Sequence, residues 1–369
     1  MPVCVKRRSI NNVYAVTGEM DKKAIVAGAT GVTGRYLMRH LIDSGQWNVV
    51  GLSRRKPDLS GDFQHIAVDL LDAQDCRAKL ASLRDVTHVF HAAYADKSAP
   101  DELAEVNLRM LRNLVESVTR VAPSLEHVHL VEGTKWYGSH LGAFKTPAKE
   151  SDPRLVPEPF FYYAQQDWLE AARKDKQWTW SAIRPHTICG FSVGSPMNLT
   201  TVIAVYASIC KELGLPLTHP GKPANYHILY QATDAGLLAR AIEWMATSEQ
   251  CQDQAFNVTN GDLFRWEDLW PRIAEFFELD LGFPRHFSLQ AFMSDKAPVW
   301  ERIVKKAGLR PFRFEELAAW KFGDFVFSAE WDVISDCGKA RRAGFCETVD
   351  SEEMFLGLFS RFRQERIIP

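Results

Sequence analysis

Short apolar runs and longer amphipathic stretches alternate through the first half of the chain. Residues 22–45, KKAIVAGATGVTGRYLMRHLIDSG, predict a short buried strand, a turn of glycines and an amphipathic helix that ends at Gly45. Later apolar runs predict further strands in WNVVGLSRR, FQHIAVDLLD, VTHVFHAA, LEHVHLVEGTK, WTWSAIRP and QAFNVTNGD. The pattern thus repeats strand after strand.

A helix is predicted between the fourth and fifth of these strands, in DELAEVNLRMLRNLVESVTRVAP. Its apolar residues recur at helical spacing: Leu103, Val106, Met110, Leu111, Leu114, Val115 and Val118. Strands that alternate with helices form a parallel sheet covered on both faces, so the pattern predicts a doubly wound α/β fold. After Arg184 the regularity weakens, which predicts a smaller mixed lobe that closes over a ligand.

Three glycines stand where the first strand turns into the first helix. Gly28, Gly31 and Gly34 form G-x-x-G-x-x-G, in which glycine permits a tight turn, a close approach to a pyrophosphate and tight packing of helix on strand. The start of the helix adds free N–H groups for the phosphates. A lone glycine triplet also occurs in purely structural turns, but here strand and helix both flank it. The sequence therefore predicts a Rossmann-type dinucleotide site.

The end of the second predicted strand carries basic residues where a carboxylate would bind the ribose of NAD. Ser53, Arg54, Arg55 and Lys56 form SRRK. Guanidinium groups match a phosphate in a fork geometry, so the 2′-phosphate of NADP is the predicted ligand. The alternative is a solvated basic turn. Asp69 and Leu70, at the end of the third strand, are placed to contact the adenine.

Composition narrows the class of protein. Of the 369 residues, 46% are hydrophobic and the net charge is −2, so a core is available and the basic surface of a nucleic-acid binder is not indicated. Seven cysteines without CxxC spacing are typical of a reducing compartment and predict no metal site. No apolar run has the length of a signal peptide's core or a membrane span. We therefore predict a cytoplasmic protein that binds no membrane.

The domain organisation follows from these elements. Residues 1–20 are predicted to be a loose tail, and residues 21–190 a Rossmann domain to which residues 228–260 return. Residues 191–227 and 261–369 form the predicted substrate lobe. Oligomeric state is left open, with a homodimer as one possibility.

Two adjacent tyrosines raise the question of catalysis. Tyr162 and Tyr163 begin a predicted helix, FYYAQQDWLE. A phenol of pKa about 10 needs a neighbouring cation to act near neutral pH. Short-chain dehydrogenases place that lysine four residues after the tyrosine, but Asp167 follows Tyr163 at that spacing. Lys135 instead stands at the end of the fifth strand, in GTKWYG.

This rearrangement, together with TWSAIRPHTICGFS, AFNVTNGDLFRWEDLW, APVWERIVKKAGL and WKFGDF, resembles the progesterone 5-beta-reductase and iridoid synthase-like family from about Lys22 onward. The resemblance implies an NADPH-dependent enone reductase with Tyr163 and Lys135 as catalytic residues, Tyr162 being the alternative tyrosine. It implies contacts to the cofactor by Thr30, Gly31, Val32, Arg54, Arg55, Asp69, Leu70, Ala93, Tyr94, Val131, Ile188, Ser195, Pro196 and Met197. It also places Tyr94, Asn198 and Phe322 near the substrate.

The chain departs from the family's pattern at the nicotinamide side. RPGNIFGFSP of the family is here RPHTICGFSV, with His186, Thr187 and Cys189 substituted, and Tyr94 replaces a tryptophan. These changes bear on the substrate more than on the fold.

The chemistry follows from the residues as well. Hydride added to the β-carbon of an enone leaves an enolate, and donors preorganised at its oxygen are usually the largest catalytic contribution. Tyr163 would donate its O–H, and Lys135 would lower the tyrosine pKa. The alternatives are a carbonyl reductase or sugar-nucleotide epimerase of the extended short-chain type, and a redox sensor that binds NADP without turnover. The predicted substrate is a small enone or enal.

Other polar and aromatic residues are interpreted as structural. His91 is expected to be a satisfied polar group, and Asn107 to bond backbone or water. Trp266, Trp270, Trp300 and Trp320 are expected in the core.

Overall fold

Seven strands form the main sheet of the computed structural model, which describes residues 22–157 and 159–369. They are β1 (Lys22–Ala27), β2 (Trp47–Leu52), β3 (Gln64–Ile66), β4 (His88–His91), β5 (His127–Val131), β6 (Thr179–Arg184) and β9 (Gln254–Asn257). Two short strands, β7 (Ile188–Cys189) and β8 (Thr233–Asp234), pair separately. Every strand of the main sheet is parallel to its neighbours.

The strand order is β3-β2-β1-β4-β5-β6-β9, as a doubly wound sheet requires. Each predicted strand is present, and the fold class is confirmed. The order reverses between β1 and β4, where the two halves of the sheet diverge. In such sheets ligands bind in the crevice beyond the carboxyl ends of the strands at this point.

Helices cover both faces of the sheet and build the remainder of the molecule. They are α1 (Val32–Ser44), α2 (Ala73–Leu80), α3 (Pro100–Val121), α4 (Phe161–Arg173), α5 (Leu199–Leu213), α6 (Pro223–His227), α7 (Ala235–Thr247), α8 (Trp266–Phe276), α9 (Leu289–Met293), α10 (Ala297–Ala307), α11 (Phe314–Leu317), α12 (Trp320–Val326), α13 (Gly338–Arg342) and α14 (Ser351–Gln364). α1 and α7 pack on one face, and α2, α3 and α4 on the other. Short 3-10 turns span Thr134–Tyr137 and Glu249–Cys251.

A separate apolar core lies in the C-terminal part of the chain. It gathers α5, α8, α10 and α14 around aromatic side chains. Trp266, Trp270 and Trp300 are buried there, as predicted, and Trp320 packs partly buried against the same core. Burial on this scale is the main source of the lobe's stability.

The predicted domain limits stay a prediction, although β9 and α7 do lie with the sheet. Ala340 and Phe345, which were assigned to the lobe, pack into the sheet's core beside α7. The predicted tail, residues 1–20, lies outside the described residues.

The described residues contain neither a membrane-spanning helix nor a cluster suited to a metal ion. Within residues 22–157 and 159–369, no helix is long and apolar enough to cross a membrane. Over the same ranges, no cluster of His, Cys, Asp and Glu could hold a metal ion.

Candidate active site

The glycine turn has a backbone that other residues could not adopt without clashes. Gly28 has φ of +84°, and a Cβ there would lie 2.6 Å from the carbonyl oxygen of Ala92. A Cβ on Gly34 would lie 2.2 Å from the oxygen of Gly28. A Cβ on Gly31 would meet only one atom, at 3.4 Å, so glycine there leaves open space at the start of α1. No side chain caps this helix, so its first N–H groups are available to an anion.

Two exposed arginines flank this turn. The N–H groups of Gly28 and Ala29 donate to the carbonyl of Leu52, which holds the turn against the end of β2. The hydroxyl of Ser53 donates to the carbonyl of Arg55 at 2.6 Å and so shapes the basic loop. Among the described residues, neither Arg54 nor Arg55 has an ion-pair partner. Both guanidinium groups can therefore bind an incoming phosphate.

The loop after β4 is held from below by Asn107. Its side-chain oxygen accepts from the N–H of Ala95, and its amide donates to the carbonyls of Ala95 and Leu103. The prediction of a structural Asn107 is confirmed. The loop presents Tyr94, whose hydroxyl donates to Asp96 at 2.9 Å.

Lys135 lies on the 3-10 turn that follows β5. Its Nζ is 5.1 Å from the ring centre of Phe325, on α12, and has no hydrogen bond or ion pair among the described residues. Burial lowers the pKa of Lys135, and the charge of Asp96 opposes that effect. The ammonium group thus lies between the strand ends and the lobe, with no acceptor in residues 22–157 and 159–369.

The two tyrosines of α4 have different surroundings. The hydroxyl of Tyr163 donates to the carbonyl of Trp136 at 2.6 Å and accepts from the N–H of Val156 at 3.3 Å, and its side chain is 1% exposed. The hydroxyl of Tyr162 has no hydrogen bond among the described residues. It lies beside Gly133, where a Cβ would be 3.0 Å from it. The geometry therefore moves the candidate acid from Tyr163, our first assignment, to Tyr162.

The reason is the rotation of the helix. Successive helical residues point about 100° apart, so adjacent tyrosines cannot share one environment. Tyr162 lies toward the end of β5, whereas Tyr163 packs edge-on against Trp136, with ring centres 4.6 Å apart. The expected lowering of a tyrosine pKa is not found at Tyr162. Burial raises the pKa of its phenol, and the neighbouring Glu132 raises it further.

A buried ion pair lies beneath these residues. Glu132 accepts from Nε of Arg184 at 2.7 Å, with both side chains almost fully buried. The guanidinium also donates to Tyr137 and Gln166, and stacks 3.5 Å from the ring centre of Trp136. The second carboxylate oxygen of Glu132 has no partner among the described residues. Removing either partner would leave a buried charge without compensation, so loss of one side chain would strongly destabilise the fold here.

The substituted segment after β6 is held by its own hydrogen bonds. Nδ1 of His186 is 2.6 Å from the hydroxyl of Thr134, and Thr187 bonds the hydroxyl of Tyr230 at 2.7 Å. Burial lowers the pKa of His186 to about 3, so its imidazole is neutral. His186 and Thr187 together therefore link the turn that carries Lys135 to the segment before β8. Cys189 is buried, and burial raises its pKa.

His91 differs from the prediction of a satisfied polar group. Both ring nitrogens are buried without a hydrogen-bond partner among the described residues. Burial lowers the pKa of His91 to about 4, so the ring packs as a neutral group at the end of β4.

The substrate loop also requires a correction. The amide of Asn198 donates to the carbonyls of Gly190 and Ser192, and its oxygen accepts from the hydroxyl of Thr200. Asn198 is 1% exposed and both N–H groups of its amide are already donated, so the side chain holds the loop instead of facing a substrate. Met197 is 41% exposed in the same loop. Phe322 stacks with Phe325 at 6.3 Å between ring centres, and its role stays a prediction.

Sequence reasoning missed Phe325, Asp96 and Glu132. Phe325 stands one helical turn after Phe322, a spacing that could have identified it. Glu132 is an acidic residue that directly follows an apolar strand, and an acid is rarely buried there unless it has a partner. Asp96 had no local signal, because only the packing of the β4 loop brings its charge near Lys135.

The fold and the site together define a Rossmann-type protein of the short-chain dehydrogenase/reductase class. The family model of the PRISE-like Rossmann-fold domain matches residues 63–369. The chain belongs to this family, the progesterone 5-beta-reductase and iridoid synthase-like proteins, as its sequence motifs predicted.

Curated relatives match over nearly the whole chain. It is 36% identical to the (S)-8-oxocitronellyl enol synthase of Nepeta racemosa, with 95% of this chain and 94% of the relative covered. It is 36% identical to the 3-oxo-Delta(4,5)-steroid 5-beta-reductase of Arabidopsis thaliana, with the same shares covered.

Solved structures support the fold. The UDP-glucose 4-epimerase of Thermotoga maritima, determined with UDP-glucose, has a TM-score of 0.66 at 16% identity and covers 93% of this chain and 99% of its own. The UDP-glucose 4-epimerase of Thermus thermophilus, in complex with NAD, has a TM-score of 0.64 at 17% identity, with 92% and 99% covered. At such identities the likeness concerns the fold alone.

Proposed function

We propose that this protein reduces the C=C bond of α,β-unsaturated carbonyl compounds with NADPH. The observation that carries the proposal is that two donors near the end of β5, Lys135 on the turn after it and Tyr162 on α4, have no acceptor among the described residues. The relatives named above, a steroid 5-beta-reductase and an enol synthase, support the reaction class.

The residues present fit a dinucleotide. The open space at Gly31 and the uncapped start of α1 suit a pyrophosphate, because N–H groups and the helix dipole both favour negative charge there. Arg54 and Arg55 suit the 2′-phosphate. The strand-end residues Ala93, Val131 and Ile188 and the loop Ser195–Met197 remain our proposed contacts to the rest of NADPH, with Thr30, Val32, Ser53, Asp69 and Leu70.

When bound, NADPH would supply a hydride to the β-carbon of the substrate. The protein's part is to bind the carbonyl oxygen, where negative charge develops as the enolate forms. Tyr162 donates its O–H to that oxygen, and the ammonium of Lys135 stabilises its charge. The raised pKa of Tyr162 keeps its phenol protonated, as a neutral hydrogen-bond donor requires. One preorganised donor of this kind contributes about 3–4 kcal/mol to transition-state stabilisation.

A carbonyl reductase or epimerase is less well supported by the geometry. Four residues after Tyr162 stands Gln166, not lysine, and its amide is bound to Arg184 and Glu170. The cation at the oxygen must therefore come from the strand end. A lysine displaced in this way allows the oxygen, and with it the β-carbon, to lie elsewhere relative to the nicotinamide. A redox sensor would need neither donor.

The position of the transferred hydride tests the proposal. NADPH carrying deuterium at the transferable position is supplied with a simple cyclic enone. We expect the label on the carbon β to an intact carbonyl. Label on a new carbinol carbon, with the double bond retained, would contradict the proposal, as would absence of NADPH oxidation with every enone and enal tried. A small enone or enal remains the proposed substrate, and cytoplasmic location and a possible homodimer stay predictions.

A further inference from the structure

The last helix of the chain contacts the helix that follows the glycine turn. Nη1 of Arg361, on α14, donates to the hydroxyl of Tyr36, on α1, at 3.4 Å. The same hydroxyl accepts from the N–H of Phe191 at 2.8 Å, and the guanidinium of Arg361 lies 4.5 Å from the Phe191 ring centre. Three segments distant in sequence therefore meet at Tyr36.

A second arginine stands beside this contact. Arg35 precedes Tyr36 on α1, directly after Gly34, and is partly buried. Among the described residues, neither Arg35 nor Arg361 forms an ion pair with a carboxylate. Burial lowers the pKa of Arg35; Asp58 opposes this, and the nearby charge of Arg361 lowers the pKa further. Two like charges therefore lie near each other, one on α1 and one on α14, and Asp58 is the acidic residue that acts against them at Arg35.

The start of α1 and the arginines after β2 add positive charge at this end of the sheet, while Asp58 acts on Arg35 and Asp234 on Tyr36. The first turn of α1 carries no acidic residue and no side-chain cap, so its N–H groups and dipole add positive potential. The exposed Arg54 and Arg55 stand at the end of the adjacent β2. A cluster of cations that costs free energy in the free protein is favourable once an anion binds, because each phosphate contact becomes a charge-assisted hydrogen bond.

We propose that Arg361, with Arg35, binds a phosphate group of the dinucleotide, so that the bound cofactor ties α14 to the glycine turn. This inference rests on the proposed function, since it takes NADPH as the ligand. It adds to the nucleotide site Arg361 of the C-terminal lobe, which follows Gly34 by 327 positions in the sequence. It also makes cofactor binding a contact between the lobe and the sheet.

The test measures dinucleotide binding directly, by calorimetry, for the wild type and for Arg361→Gln, Arg361→Lys and Arg35→Gln. Arg302→Gln is the matched control, because Arg302 is an exposed arginine of α10 whose guanidinium donates to the carbonyl of Pro298 on its own helix. We expect Arg361→Gln and Arg35→Gln each to raise the Kd for NADPH on the order of 10-fold, as for loss of one charged hydrogen bond. Arg361→Lys should recover part of the affinity, and Arg302→Gln should bind as the wild type does.

Two further measurements show which phosphate of the dinucleotide Arg361 binds and whether the role of Arg361 is merely structural. An equal loss for NADH and NADPH assigns the contact to the pyrophosphate, and a loss confined to NADPH assigns it to the 2′-phosphate. The Tm of the free Arg361→Gln protein should match or exceed that of the wild type, while its rise on adding NADPH should be smaller. An unchanged Kd for both dinucleotides, or a loss equal to that of Arg302→Gln, would overturn the inference. Failure of the wild type itself to bind NADPH would instead refute the proposed function.

Discussion

The carboxyl end of the sheet and the C-terminal lobe leave different kinds of polar group without a hydrogen bond. At the sheet's end, the side chains of Lys135, Tyr162 and Arg35 have no hydrogen bond or ion pair among the described residues. In the lobe and its loops, Asn198 and Asn225 donate to backbone carbonyls, and Trp270 donates to Leu217. The groups without a bond at the sheet's end are two cations and a phenol, whereas those in the described part of the lobe include the buried indole N–H groups of Trp266 and Trp300.

Bonded and unbonded groups also lie side by side within a single turn of α4. Tyr163 is bonded to Trp136 and Val156, as a structural residue is, and Tyr162 lies unbonded beside Gly133. The contrast predicts that substitutions on one side lower stability and substitutions on the other lower binding or turnover.

The largest effect is expected in the lobe. Trp270→Ala removes a fully buried indole from the C-terminal core and should lower the free energy of unfolding by about 3–5 kcal/mol. Urea denaturation followed by circular dichroism measures it. Trp320→Ala, at a partly buried position of the same core, is the control and should cost less. Equal losses at the two positions would contradict the packing described for this lobe.

The tyrosine pair should separate turnover from stability. Tyr162→Phe should lower kcat on the order of 10²-fold or more, with little change in NADPH affinity or Tm, because its hydroxyl acts only on the developing oxyanion. Tyr163→Phe should retain kcat but lose about 1–3 kcal/mol of stability, since Val156 and Trp136 lose their partner.

Steady-state kinetics and thermal unfolding of both variants decide between the tyrosines. A poor electrophile should be used beside an activated enone, because an activated substrate depends less on the donor. A loss of kcat confined to Tyr163→Phe would restore the assignment made from sequence.

The basic loop after β2 should affect cofactor choice alone. The double substitution Arg54→Ala and Arg55→Ala should raise the KM for NADPH roughly 10- to 100-fold and leave that for NADH nearly unchanged, since each arginine offers a charged hydrogen bond to the 2′-phosphate. Initial rates with both dinucleotides provide the measurement. A wild-type preference for NADH would refute the phosphate-site argument.

The smallest effect is expected from Asp96, whose charge raises the pKa of Lys135 and so acts against the effect of burial. Burial lowers the pKa of Lys135, so a reaction that needs its cation should decline as pH rises through that lowered pKa. Asp96 opposes the shift, and Asp96→Asn should therefore move the alkaline limb of kcat/KM to lower pH by less than about one unit. Lys135→Met should abolish this limb and lower kcat on the order of 10²-fold. An alkaline limb that persists in Lys135→Met belongs to another group.

The sequence predicted well where neighbours along the chain decide the structure. Strand, glycine turn and helix follow one another within residues 22–45, and each depends on its own periodicity or on the conformational freedom of glycine. The spacing of its apolar residues likewise predicted the long helix α3. His91 and Asn198 were misjudged, because their surroundings come from elements that the local pattern does not describe.

By itself, the sequence determined how strands and helices follow one another along the chain. It also determined the dinucleotide turn, the two arginines after β2 and the family. These depend on spacing within a few residues, which the linear order preserves. Only the tertiary structure decided which tyrosine is bonded, that Asp96 and Phe325 approach Lys135, and that Arg361 reaches α1. The physical reason is that a side chain's partner depends on how helices rotate and pack against distant segments, and that information is carried by the whole core.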